Sequence, residues 1–236
     1  MSVELVPRTQ SSDISGFGVF SHGDAGAAHV MAHRMLDEER HELGHRLLGA
    51  WLDCHDGVGS DWTHLQWHMA VFEIAVGQWE HAFARFKQEI LPVVTSSNDA
   101  LTDAPALLWR LWLTAPNNLE LPWKPVRSRA MRNLGKQQCA YVELHCLLAL
   151  AGARDVEALS QWLRVKRHCR DEHTRLLARM VVGLVALAAS DYARAASVLD
   201  RAVACISELG GSRAQNLLFP EIVAYCWRQA EIRAAA

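Results

Sequence analysis

A chain of 236 residues is long enough for one large helical domain or two small ones. Half of its residues are hydrophobic, which allows a sizeable core, and 24 basic against 26 acidic residues leave a formal net charge of −2. That near balance argues against a nucleic-acid surface built on phosphate neutralisation, and the longest apolar run, Met180 to Ala189, is about half of the roughly 20 residues that span a bilayer. The opening Met-Ser-Val-Glu-Leu-Val-Pro-Arg lacks the apolar core of a signal peptide, so the expected location is the cytoplasm. The six cysteines, Cys54, Cys139, Cys146, Cys169, Cys205 and Cys226, form no CxxC pair, which argues against a zinc ribbon. They read as small core hydrophobes. The alternative is a nucleophile at Cys146 beside His145, although neighbours on a helix point about 100° apart.

Residues 1–23, with Pro7, Gly16, Gly18 and Gly23, predict an irregular arm, and residues 24–236 a single helical domain. Asp24 is a candidate cap for a helix to about Leu36. A second helix over about 38–54 has its apolar spacing at Leu43, Leu47, Leu48, Trp51 and Leu52. The run Asp56-Gly57-Val58-Gly59-Ser60-Asp61 breaks the chain, with Asp61 as the cap of a helix starting at Trp62. Helices over about 62–76 and 79–91 follow, closed by Pro92 and Thr95 to Asp99. The next, about 99–114, tolerates Pro105 only near its first turn. Residues 115–125 hold Pro116, Pro122 and Pro125 and are the candidate hinge. Helices are then expected over about 125–132, 136–151 and 154–168, the last with Leu159, Trp162, Leu163 and Val165 on one face. A further pair covers about 171–189 and 192–208; the arginines near 171–180 read as a solvated face. The last helix, about 213–234, carries Leu217, Leu218, Phe219, Ile222 and Trp227 and is kinked or split by Pro220. No stretch alternates with a period of two long enough for a sheet.

Gly77, Trp79, Ala82 and Phe86 have the spacing of a tetratricopeptide-type helix pair. A glycine ends the first helix, an aromatic covers the turn, an alanine permits close crossing and a phenylalanine fills the groove. The spacing returns at Ser190, Tyr192, Ala195, Leu199 and Ala202. No strict period of about 34 residues runs through the chain. The fold class read from these patterns is all-α: an irregular tetratricopeptide-repeat-like solenoid of about ten to twelve helices.

Twelve histidines fall on a few helices. His29 and His33, His41 and His45, and His64 and His68 are spaced i,i+4, which sets side chains on one helix face with Cβ atoms about 5–6 Å apart. Two imidazoles so placed can grip one metal ion, bind an anion or pass a proton. His64 and His68 read as a hydrogen-bonded polar cluster, as half of a metal site or as a pair without function. A third ligand would come from His29, Glu143 or His145. Position 65 is Leu, so the His-Glu-x-x-His chemistry of zinc proteases is not implied. His41 and His45, among Glu38, Glu39, Arg40 and Glu42, read as a solvated face. Asp103 and Arg110 are two turns apart and can share a face, to orient a ligand or to form a structural ion pair. Gly210-Gly211-Ser212 ahead of a helix offers amides to an anion or, alternatively, a helix C-cap followed by an N-cap at Ser212. The nine tryptophans read as core.

The assembled stretches resemble the tetratricopeptide repeat protein 38 family, from about Ala25 to Gln229. The carrying segments are Ala28-His29-Val30, Thr63-His64-Leu65-Gln66-Trp67-His68-Met69-Ala70 and Gly77-Gln78-Trp79-Glu80-His81-Ala82. They continue through Asp103 with Leu107-Leu108-Trp109-Arg110-Leu111, Glu143-Leu144-His145, and Leu209-Gly210-Gly211-Ser212-Arg213-Ala214-Gln215. Family members look about twice as long, with a histidine where this chain has Ala25 and an aspartate where it has Glu143. The resemblance implies a helical repeat fold and little settled biochemistry.

Two functional expectations follow. One is a scaffold with a His-rich polar pocket on its concave face, binding a peptide, partner protein or small molecule, or a second copy of itself as a homodimer. The other is an enzyme acting on a small molecule, with His64, His68 and His145 as acid/base groups and His29, His64 and His68 as ligands to a divalent metal. In either case His29, Asp103, Arg110, Glu143, Ser212 and Gln215 are the expected ligand-binding residues.

Overall fold

The computed structural model describes residues 24–116, 119–136 and 139–235. The expected N-terminal arm, 1–23, lies outside the described residues, as do Asn117 and Asn118 of the expected hinge. The described residues form helices and no strand. In order they are α1 (Ala25–Asp37), α2 (His41–Asp53), α3 (Ser60–Ala75), α4 (Trp79–Arg85), a π-helical turn (Phe86–Ile90) and α5 (Leu91–Ser96). There follow α6 (Asp103–Thr114), α7 (Trp123–Asn133), α8 (Ala140–Gly152), α9 (Val156–Lys166), α10 (Glu172–Ala188), α11 (Tyr192–Val203), a 3-10 turn (Ile206–Leu209), α12 (Arg213–Asn216) and α13 (Leu218–Ala234). Taking α4 to α5 as one rod and α12 with α13 as one broken helix gives eleven among the described residues.

Successive helices pack in pairs: α1 with α2, α3 with α4, α6 with α7, α8 with α9, α10 with α11. The first members also lie side by side, α1 on α3, α3 on α6, α6 on α8 and α8 on α10. This order is compatible with the repeat-like array read from the sequence. Several of the residues behind that reading sit at turns or in the core. Gly77 closes α3 with φ of 83°, a conformation that costs other residues energy. Ala82 and Phe86 are fully buried, as is Ala195, and Leu199 and Ala202 are nearly so. The chain then turns back: α13 packs on α11 and crosses to α6, and α12 touches α1.

Two apolar clusters form. The smaller gathers Met31, Met35 and Leu36 of α1, Leu48 of α2 and Leu65, Met69 and Phe72 of α3. The larger takes Trp67 and Ala70 from the other side of α3 and continues through α6, α8, α10, α11 and α13. Helix α3 therefore separates two cores and is covered on nearly every side. Its histidines fall on the strip between them.

Several local expectations are corrected. Gly59, with φ of 91°, precedes α3, and Asp61 lies inside the first turn rather than capping it. Pro92 does not stop its helix. Proline has no N–H to donate, and the π turn just before it widens the hydrogen-bond ladder there, so the rod runs on to Ser96. Val165 is 69% exposed; among the described residues α9 packs mainly on α8 and α10, and Leu159 and Trp162 fill that contact. Leu217 and Trp227 stand at the edges of the buried stripe Phe219, Ile222, Val223 and Cys226 and are partly exposed. Only Cys146 and Cys226 are buried thiols; Cys54, Cys139 and Cys169 are exposed, because they lie at or beyond helix ends.

Candidate metal centre

Asp24 caps α1, accepting from the Ala27 N–H at 3.1 Å, and the buried Ala28, Met31, Ala32, Met35 and Leu36 fix the helix's rotation. That rotation turns His29 and His33 toward α3. Helix α3 answers with His64 and His68. One nitrogen from each of the four rings lies within 4.8 Å of the others. Ring centroids are 4.5 Å apart for His29 and His33, 4.6 Å for His64 and His68, and 4.5 Å for His33 and His68. Bonds of 2.0–2.1 Å to a tetrahedral ion would put ligand nitrogens about 3.3 Å apart, a contraction that small side-chain rotations supply. His33 was missing from the metal set read from the sequence, although its i,i+4 spacing from His29 was the available signal. Nothing in one dimension reveals that α1 and α3 face each other.

The hydrogen bonds around the quartet prepare its nitrogens. His64 Nδ1 donates to Asp103 Oδ2 at 2.8 Å. A buried carboxylate accepts only, so a proton sits on Nδ1, and in the neutral ring the His64 Nε2 lone pair is free to ligate. This is the carboxylate–histidine support common at metal centres. The Nε2 atoms of His29 and His33 meet at 2.9 Å, so one carries a proton that an ion would displace. His68 is fully buried and neither of its nitrogens has a partner among the described residues. An unmet buried polar group costs about 1–3 kcal/mol, and a bound ion would satisfy one of the two.

Electrostatics favour neutral rings. Burial, then the charges of His64, His33, His29 and Arg110, hold His68 well below the usual imidazole range. Burial, then His29 and His64, lowers His33; burial, then His64, lowers His29. For His64 burial acts downward, but the hydrogen bond and charge of Asp103, with Asp61, outweigh it and the net shift is upward. Three of the four therefore present lone pairs at neutral pH. His29, His33 and His64 are half-buried, so solvent reaches the cluster from one side.

The other sequence candidates divide. Asp103 and Arg110 both face α3 from α6, as their two-turn spacing implies. Asp103 holds His64, while the Arg110 guanidinium lies 5.4 Å over the Trp67 ring, on which His64 also stacks, at 5.4 Å. Arg110 is no ion-pair partner of Asp103: it donates to the Ala214 carbonyl at 2.9 Å and to Ala106 at 3.4 Å. Glu143 and His145 are corrected. Neither belongs to the quartet. Both sit on α8, and Glu143 accepts from Trp162 Nε1 at 2.9 Å and pairs with Lys166 at 3.3 Å. His145 is fully buried, with Nδ1 on the Tyr141 carbonyl at 2.9 Å. Burial drives its pKa down to about 4.

Ser212 and Gln215 form a capping box. Ser212 Oγ accepts from the Gln215 N–H at 3.2 Å, and Gln215 Oε1 accepts from the Ser212 N–H at 2.9 Å. Gly210 and Gly211 precede it with φ of 109° and 82°. A Cβ on Gly211 would lie 2.4 Å from the Tyr141 ring, so the glycine lets this turn approach α8. The helix-cap alternative accounts for these four residues. His41 and His45 are half-buried and stand apart from the quartet. Among the described residues no helix is long and apolar enough to cross a membrane. No family model matches the chain, and no solved structure matches it.

Proposed function

We propose that this is a metal-binding helical protein whose centre, His29, His33, His64 and His68, takes one divalent first-row transition ion. The observation that carries the reading is the convergence of four imidazoles from two helices, one of them buried with both nitrogens unpartnered. The donor set selects the ion. Imidazole nitrogen without thiolate or carboxylate suits zinc, copper, nickel or cobalt, while magnesium and calcium require oxygen ligands. Asp103 fixes the tautomer of His64 from behind. An ion bound by all four rings would be closed, whereas one held by three of them would keep a position open on the half-exposed side for a solvent ligand and Lewis-acid chemistry on a small substrate. The segments that carry the likeness to the tetratricopeptide repeat protein 38 family supply His29, His64, His68 and Asp103, in accord with a shared site.

The alternative expected from the sequence, a groove for an extended peptide, has less in its favour. Helix α13 lies across α6 and α12 against α1, and Arg110 ties α6 to the backbone at Ala214. The inner side is partly filled by the chain's own C-terminal helices, which favours a compact ligand.

The test is metal content by mass spectrometry on untagged full-length protein, beside a His64→Ala/His68→Ala variant. About one equivalent of a transition ion, absent from the folded variant, is the expected outcome. Wild-type protein that stays metal-free after incubation with zinc, copper, nickel and cobalt would sink the proposal.

A further inference from the structure

A groove of about 490 Å³ lies between α1, α3, α6 and α13, with none of the quartet histidines in its lining, a size typical of small-molecule sites. We infer that this groove binds an aliphatic monocarboxylate, with Arg110 anchoring the carboxylate. It is a second site and does not depend on the metal reading. The walls are Leu36 of α1, Val71 and Ile74 of α3, Leu113 of α6, and Leu217 and Ala224 of the C-terminal helices. No Phe, Tyr or Trp is among the described lining residues, so the groove offers aliphatic contact and no stacking platform for a ring or base.

Arg110 also lines this groove and is only 5% exposed. Its acceptors, the backbone carbonyls of Ala214, Ala106 and Gln215, orient the guanidinium without cancelling its charge. No carboxylate among the described residues forms an ion pair with it within 4.0 Å. A buried charge left without a counter-charge is costly, and a guanidinium still holding free N–H groups presents them in the geometry a carboxylate matches. The rim is mixed, with Glu39 and Glu221 against His41 and Arg228. Selection for an anion therefore falls to the floor. Glu221 is exposed and is the strongest acidic influence on Arg110; from beyond ion-pair distance it would repel a ligand carboxylate held by the same guanidinium.

Calorimetric titration of the full chain with sodium octanoate tests this, with octan-1-ol and octylamine as uncharged and cationic controls. Octanoate should bind saturably at one site, at least about tenfold tighter than either control, as expected when a charge-assisted hydrogen bond is lost. Arg110→Gln should weaken octanoate by about tenfold or more, and Glu221→Gln should tighten it. Because Arg110 also braces α12, a folded Ala224→Trp variant gives an independent check: its ring fills the groove from an exposed position and should abolish binding. Affinity should be the same before and after treatment with a chelator. The proposal is overturned by no saturable octanoate binding, by equal binding of the alcohol, by unchanged binding in Ala224→Trp, or by loss of binding on chelation in protein that stays folded.

Discussion

Helices α3 and α8 look alike in their surroundings and differ in what they do with polarity. Each is packed on several sides, α3 by α1, α2, α4 and α6, and α8 by α6, α7, α9 and α10. Each carries polar residues inward. On α8 these groups find separate, local partners: Glu143 meets Lys166 and Trp162, and His145 meets the carbonyl one turn earlier. On α3 one set is settled in the same way, with Glu73 held by Arg85 at 2.7 Å and Gln66 by the same guanidinium. His64 and His68 are different because α1 brings two more imidazoles to meet them. Buried polarity becomes a centre only where a second element supplies matching groups and leaves lone pairs unspent. His145 Nε2 and the Tyr141 hydroxyl are also unpartnered, but no second histidine accompanies them in the quartet's manner.

The sharpest way to break this contrast is to load and strip the metal. At a free ion concentration about 100 times the Kd, linkage adds about 2.7 kcal/mol of stability, a rise in Tm of about 5–10 °C for a chain of this size. Wild-type protein should show that rise with zinc and no comparable rise with magnesium; His68→Ala should lose it and His145→Gln should keep it. A zinc shift that survives His68→Ala would place the ion elsewhere.

A smaller change probes the support behind the ligands. In Asp103→Asn the amide can donate to His64 Nδ1, moving the imidazole proton to the nitrogen needed for the ion. Metal affinity should fall about 10–100-fold while His64 stays in place, as competition with a chromophoric chelator would reveal. Unchanged affinity would make Asp103 a purely structural partner.

Acid should act on the α8 side as well as at the quartet. His145 has a folded pKa of about 4 against an ordinary 6.5, so the unfolded chain takes up the proton first. Its contribution is intact above pH 6.5 and is lost as pH falls toward 4. By pH 5 the loss is about 2 kcal/mol. Urea unfolding of metal-free protein at pH 7 and pH 5 should show the wild type losing about that much more than His145→Gln; parallel losses would contradict the assigned burial.

The smallest effect is expected at the capping box. Ser212→Ala should cost about 1 kcal/mol of stability and leave metal affinity untouched. A change in affinity at unaltered stability would return Ser212 to the ligand-binding residues that the sequence suggested.

Much of the scaffold was readable before any coordinates. The 3.6-residue spacing of apolar side chains marks nearly every helix, and turn residues such as Gly77 and Asp24 mark boundaries within a few positions. Pro92 misled because proline's missing N–H ordinarily ends a helix, and the π turn that accommodates it has no sequence signature of its own. Val165 misled because periodicity gives a stripe but not which neighbours arrive to cover its edge.

For the site, the sequence alone determined the i,i+4 histidine pairs, since helix geometry sets both rings of a pair on one face whatever the fold. It also determined that Asp103 and Arg110 share a side of their helix. The tertiary structure decided which pair meets which. It brought His33 into the quartet, placed Asp103 behind His64 across 39 residues, and sent Glu143 and His145 to other partners. Those choices come from long-range packing of two apolar clusters around α3, and packing between distant helices leaves no periodicity for a single sequence to display.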